Sequence, residues 1–140
     1  MYSYQNILVA LDIFSDHKNV LERALYIAQK PAHLSFIYVT FPHMHFESYG
    51  FAMGASFVND NQKSAKATLL ELAKVHNIPD NQVYAPIGSP VDEIHMLSES
   101  VNVDLIIIGT HGQSGLKLLL GSTANGVLHG VECDVLAIKI

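Results

Sequence analysis

Five short apolar runs, spaced by stretches of helical period, constrain this chain more than any other feature. NILVAL (6–11) is continuous and rich in branched residues, the mark of a strand covered on both faces. LSFIYVTF (34–41), QVYAPIG (82–88), VDLIIIG (103–109) and VLAIKI (135–140) repeat the pattern, and Pro86 assigns the third run to a sheet edge. Between the first two, Ser15 and Asp16 cap a helix that runs to about Gln29, with Val20, Ala24, Ile27 and Ala28 at helical spacing. A second helix starts at about Asp60, carries Ala65, Leu69, Leu72, Ala73 and His76 as one stripe, and stops at NIP (77–79). The third opens with Ser89 as N-cap, Pro90 at its first position and Asp92 as a weak capping-box partner. A short fourth helix, STANGVLHGV (122–131), forms despite Gly126. Residues 42–58 mix Pro, Gly, His and aromatics without a period; a connection this long can be a lid or binding loop, and for SYGFAMGASF packing over the sheet edge is the plainer reading.

Strands alternating with helices require right-handed crossovers and a mainly parallel sheet. The expected fold is α/β and Rossmann-like: a single domain over 1–140 with a doubly wound five-stranded sheet in the order 3-2-1-4-5. At 49% apolar and 15% charged residues, the chain can build its own core and is not of the disordered class. A formal charge of −5 with scattered Lys and Arg argues against nucleic acid and anionic membrane as partners. Cys133 is the sole cysteine, so no internal disulfide forms, which suits a reducing cytoplasm. The opening MYSYQNILVALDIFSD lacks a basic lead and is interrupted by Asp12, so neither a signal peptide nor a membrane span is expected.

The fourth run leads into GTHGQSGLKLLLGST (109–123), which holds four glycines between a buried strand and a helix. Successive backbone N–H groups in such a turn can form an anion nest, and the next helix N-terminus adds partial positive charge. Hydrogen bonds to phosphate are worth roughly 1.5–3 kcal/mol each, so three or four of them with a buried base reach about −8 kcal/mol, micromolar affinity. The alternative is a tight connection whose glycines only satisfy turn geometry. It is no Walker loop, because Ser122 rather than Lys follows Gly121, and no dinucleotide fingerprint follows the first strand, which reads DIFSDH.

YQNILVALDIFSD, FIYV, GSPVDEI and VDLIIIGTHGQSGLKLLLGST together resemble the universal stress proteins of the UspA type, over essentially the whole chain. The resemblance implies an adenine nucleotide alpha hydrolase-like fold that binds ATP, AMP or ADP, with Mg²⁺. Members that bind ATP carry Gly, two residues, Gly, nine residues, then Gly-Ser or Gly-Thr. Here Gly109, Thr110-His111 and Gly112 are followed by eight residues before Gly121-Ser122. That departure bears on the triphosphate contacts more than on the adenosine contacts. By position, the resemblance implies that Ala10 and Asp12 line the ribose and metal side and that Val39 meets adenine through its backbone. Ile108, Gly109 and Gly112 would flank ribose and phosphates, while Gly121, Ser122 and Thr123 cradle the phosphates. Asp12 would hold Mg²⁺ through water, and its plain alternative is a turn acid.

His43 and His45 share a side if extended but lack a third ligand at convincing spacing, so a solvated loop is the better reading. His111 reads equally as a phosphate contact or as an exposed loop residue, Lys117 as a solvated side chain rather than a screen for phosphate charge, and Cys133 as an inert thiol. No nucleophile has a sequence-evident base, so any ATP hydrolysis is expected to be slow and incidental. The final run has little charge and forms an edge suited to pairing antiparallel with its own copy through 135–140. A homodimer is also what the resemblance implies. The expected function is a cytoplasmic nucleotide-dependent stress regulator whose occupancy alters shape or protein-partner choice; the alternative is a homodimeric stress regulator that binds no nucleotide.

Overall fold

The computed structural model describes residues 3–42, 51–110 and 122–140. In chain order these form β1 (Ile7–Ala10), α1 (Lys18–Ala28), β2 (Leu34–Ile37), α2 (Phe51–Val75), β3 (Val83–Tyr84), α3 (Pro90–Ser100), β4 (Leu105–Gly109), α4 (Ser122–Gly130) and β5 (Asp134–Ile138). The strands make one sheet in the order β3-β2-β1-β4-β5, all neighbours parallel, as the alternation requires.

The pleat sends alternate residues into two cores. Ile7, Val9, Phe36, Leu105 and Ile107 pack with Val20 and Ala24 of α1 and with Ala65, Leu69 and Ala73 of α2. Leu8, Ile37, Ile106 and Ile108 pack on the other side with Ile94 of α3 and with Ala124 and Val127 of α4. Both faces of β1 and β4 are therefore covered, which is why their sequences are apolar at every position instead of every second one. Each such side chain contributes about 1.5–3 kcal/mol on full burial.

Several local expectations are corrected. The second helix begins at Phe51, not about Asp60. Gly54 and the mixed residues hide the period there, but a helix of 25 residues propagates through one glycine at a cost of about 1 kcal/mol. Residues 43–50 of the expected loop lie outside the described residues. Ser15 does not cap α1: its N–H turns back to the Asp12 carbonyl at 3.1 Å, and His17 takes the N-cap position. Asp16 Oδ1 accepts from the Lys18 N–H at 3.3 Å. Gln29 lies just beyond the helix with φ of 65° and ψ of −36°, the centre of a tight three-residue turn in which Lys30 N–H donates to the Ala28 carbonyl at 2.7 Å. Ser89 is the N-cap of α3, yet its side chain makes no capping bond; Pro90 leaves no N–H at that position to satisfy.

The second strand is four residues long, shorter than its apolar run, because β1 ends beside it. The chain stays extended on the outer side only. There Tyr38 N–H donates to Tyr84 and Thr40 N–H to Pro86, with Gly88 N–H returned to the Thr40 carbonyl. β3 sits at the edge, as Pro86 implies, and β5 forms the opposite edge.

Candidate functional site

Strand order reverses between β1 and β4, so a crevice opens beyond their carboxyl ends, where α/β sheets gather ligands. Ala10 stands level with Ile37 on one side and Ile108 on the other. Ala10, Ile108 and Val39 all belong to the core beneath α3 and α4, so the pleat aims three of the expected residues at one face. Ile108 is buried, while Ala10 and Val39 are half-buried and form a partly open apolar floor. Ser122 and Thr123 open α4, whose Ala124 packs on that same core. Their end of the helix carries its positive dipole.

Gly109 behaves differently. A Cβ there would collide with the Ile140 side chain and lie 3.4 Å from Val20 Cγ2, on the α1 side of the sheet. Its lack of a side chain is therefore spent on packing, and only its backbone can face the crevice. Gly112 and Gly121, with His111, Lys117, His43 and His45, lie outside the described residues.

Asp12 is half-buried two residues past Ala10. Its carbonyl anchors the turn through Ser15, and its Oδ1 accepts from the Phe14 N–H at 3.4 Å. That leaves carboxylate lone pairs for a hydrated cation, so the residue suits Mg²⁺ held beside phosphate. Among the described residues, no group of three or more His, Cys, Asp or Glu could hold a metal by itself.

Sequence reasoning missed the aromatic pair beside Asp12. Phe14 and Tyr38 meet edge to face with ring centroids 5.4 Å apart. Burial pushes the Tyr38 phenol above its ordinary value, and the Asp12 charge adds to the rise. The signal was present in FIYV, where Tyr38 falls on the opposite pleat from Val39, but a chain met alone does not say which turn will reach it. Cys133 fits the inert reading. Burial raises its thiol pKa and the Asp134 and Asp104 charges add, against a backbone hydrogen bond that pulls it down. No helix among the described residues is long and apolar enough to cross a membrane.

The comparisons agree with this architecture. The Universal stress protein family matches residues 3–139. The chain is 38% identical to universal stress protein A homolog 2 of Coxiella burnetii, covering 100% of this chain and 98% of that one. The structure of universal stress protein UspA from Lactobacillus plantarum superposes with a TM-score of 0.80 at 23% identity, covering 99% of each chain, a likeness of fold. A universal stress protein solved in complex with cAMP gives a TM-score of 0.58 at 27% identity over 98% of each chain. With a family match over nearly its full length and a close relative of equal extent, the chain belongs to the universal stress protein family.

Proposed function

We propose that this chain, as one domain over 1–140, binds ATP or another adenine nucleotide in the crevice between β1 and β4 and acts in the cytoplasm as a nucleotide-dependent stress regulator. One observation carries the reading. Ala10, Val39 and Ile108 share one face at the strand ends with the helix that begins at Ser122 and Thr123. An apolar floor for a base thus adjoins a helix N-terminus suited to phosphate. A relative solved with cAMP supports the adenine class. In this reading Gly109, Gly112 and Gly121 contribute backbone amides, and Asp12 orients water on Mg²⁺. Any hydrolysis in this reading is slow and incidental.

The dimer belongs to the same proposal. β5 is an open edge of five residues, whereas the opposite edge is two residues long with its Ala85 carbonyl occupied by Gln62 Nε2 at 2.7 Å. An antiparallel partner through 135–140 therefore has one edge to choose.

Denaturing the purified protein and reading the released small molecules by mass spectrometry, followed by calorimetric titration with ATP and Mg²⁺, tests the nucleotide reading. Bound adenine nucleotide, or micromolar heat, supports it. Neither signal at high protein concentration would favour the second reading, a homodimeric regulator without nucleotide. The packing of Ile140 on Gly109 favours that second reading, because it gives the glycine a purpose without any ligand.

A further inference from the structure

α3 and α4 lie side by side on one face of the sheet, and two glycines set how close they come. Gly126 and Gly130, four residues apart on α4, face Val91 and His95, four residues apart on α3, so a ridge on one helix enters a groove on the other. A Cβ at Gly126 would stand 2.7 Å from Val91 Cγ2 and 3.2 Å from Cγ1. One at Gly130 would collide with the His95 ring and stand 2.6 Å from its Nε2. That ring nitrogen is buried without a hydrogen-bond partner, so shape alone seats the ring. Alanine would favour the helix at Gly126, so close approach is what the glycine supplies. Val91 is a stiff knob, because a branched Cβ leaves it one preferred rotamer on a helix.

The opposite flank of α4 is open. Leu128 is two positions from each glycine, about 200° round the helix, and is 48% exposed. Beneath, Ala124 and Val127 rest on the core shared with Ile106 and Ile108. The sideways position of α4 is therefore set by α3, and Ser122 and Thr123, about one turn before Gly126, move with it.

We propose that Val91 and His95 are positioning residues which, through Gly126 and Gly130, fix the start of α4 and so decide the preference of the crevice for a nucleotide over its bare nucleoside. This rests on the nucleotide reading given above. In that reading base and ribose meet the strand ends, which α4 does not carry, whereas phosphates meet the helix start, which it does. Comfortable carbon contact begins near 3.5 Å, so a methyl at Gly126 drives the helices apart by up to about 1 Å. A shift of that size carries a phosphate hydrogen bond out of range.

Calorimetry with ATP and with adenosine tests the preference. Gly126→Ala should weaken ATP roughly tenfold or more and leave adenosine within about twofold. Adding Val91→Ala should restore ATP to within about twofold, because the new Cβ would stand 3.5 Å from the Cβ that position 91 keeps. In the ligand-free protein, the NMR amide signals of Ser122 and Thr123 should shift in the single variant and return in the double, with a dispersed spectrum as the check on folding. Equal weakening of both ligands, or a loss that Val91→Ala does not relieve, would overturn the positioning role. Amide signals that stay in place would overturn it too. A wild type that binds neither ligand, with those amides still moving and returning, would instead overturn the nucleotide reading and the preference with it.

Discussion

Ile140 lays its side chain in the space that a Cβ on Gly109 would occupy, so the last residue of the chain seals the end of β4. The contact ties the glycine to packing on the α1 side. Gly109→Ala must push aside the Cδ1 end of Ile140, a flexible and half-buried side chain, and is expected to lose about 1 kcal/mol or less, the low end of overpacking costs. Adding Ile140→Ala should return most of that loss, a coupling that urea denaturation in a double-mutant cycle reads directly. A double variant that regains stability but not nucleotide affinity would mean that a ligand, and not Ile140, demands the glycine.

Tyr38 makes alkaline stability informative. Burial first, and the Asp12 charge second, raise its phenol above the ordinary 10.0. The unfolded chain therefore loses this proton at lower pH than the folded one. The stability it contributes is complete below about pH 10 and is lost as pH climbs through the raised value. Melts between about pH 9 and 11 should fall more steeply for the wild type than for Tyr38→Phe. In Asp12→Asn the phenol should titrate lower, yet still above its ordinary value, because burial is the larger cause. A phenol titration unmoved by that substitution would separate the two side chains.

Strand order and the two-faced burial of β1 and β4 were legible because Ile7, Leu8 and Val9 leave no polar face, and a sheet covered on both sides has few topologies. The start of α2 was not, since Gly54 breaks the pattern locally and the helix is sustained by its length. The level pairing of Ala10 with Ile108 could be expected, because both end apolar runs that the topology makes neighbours. The fate of Gly109 could not, because it depends on Ile140, a contact made across 31 positions of chain. Gln62 and Glu93 were equally silent: one helix residue guards a carbonyl and the other folds over a glycine, and neither act leaves a periodic trace.

Asp12 should matter to the metal more than to the base. If it holds Mg²⁺ through water beside phosphate, Asp12→Asn should weaken Mg-ATP binding roughly fivefold or more and leave metal-free ATP or AMP within about twofold. Titration calorimetry with and without Mg²⁺ separates the two. Equal weakening of all three ligands would instead assign Asp12 to the turn it already organises through Ser15.

The β5 edge offers the cleanest disruption of the proposed dimer. Asp at Ile138 would place a charge in the core, since that side chain is 7% exposed, and so confounds folding with assembly. Ala137 is better placed. The Ile138 carbonyl accepts from Thr110 N–H at 2.8 Å, so Ile138 faces β4 and, by alternation, the N–H of exposed Ala137 faces outward. Ala137→Pro removes that outward donor and spares the ladder to β4. Sedimentation should then report a monomer with an unchanged far-ultraviolet spectrum. A dimer that survives the proline would move the interface off this strand.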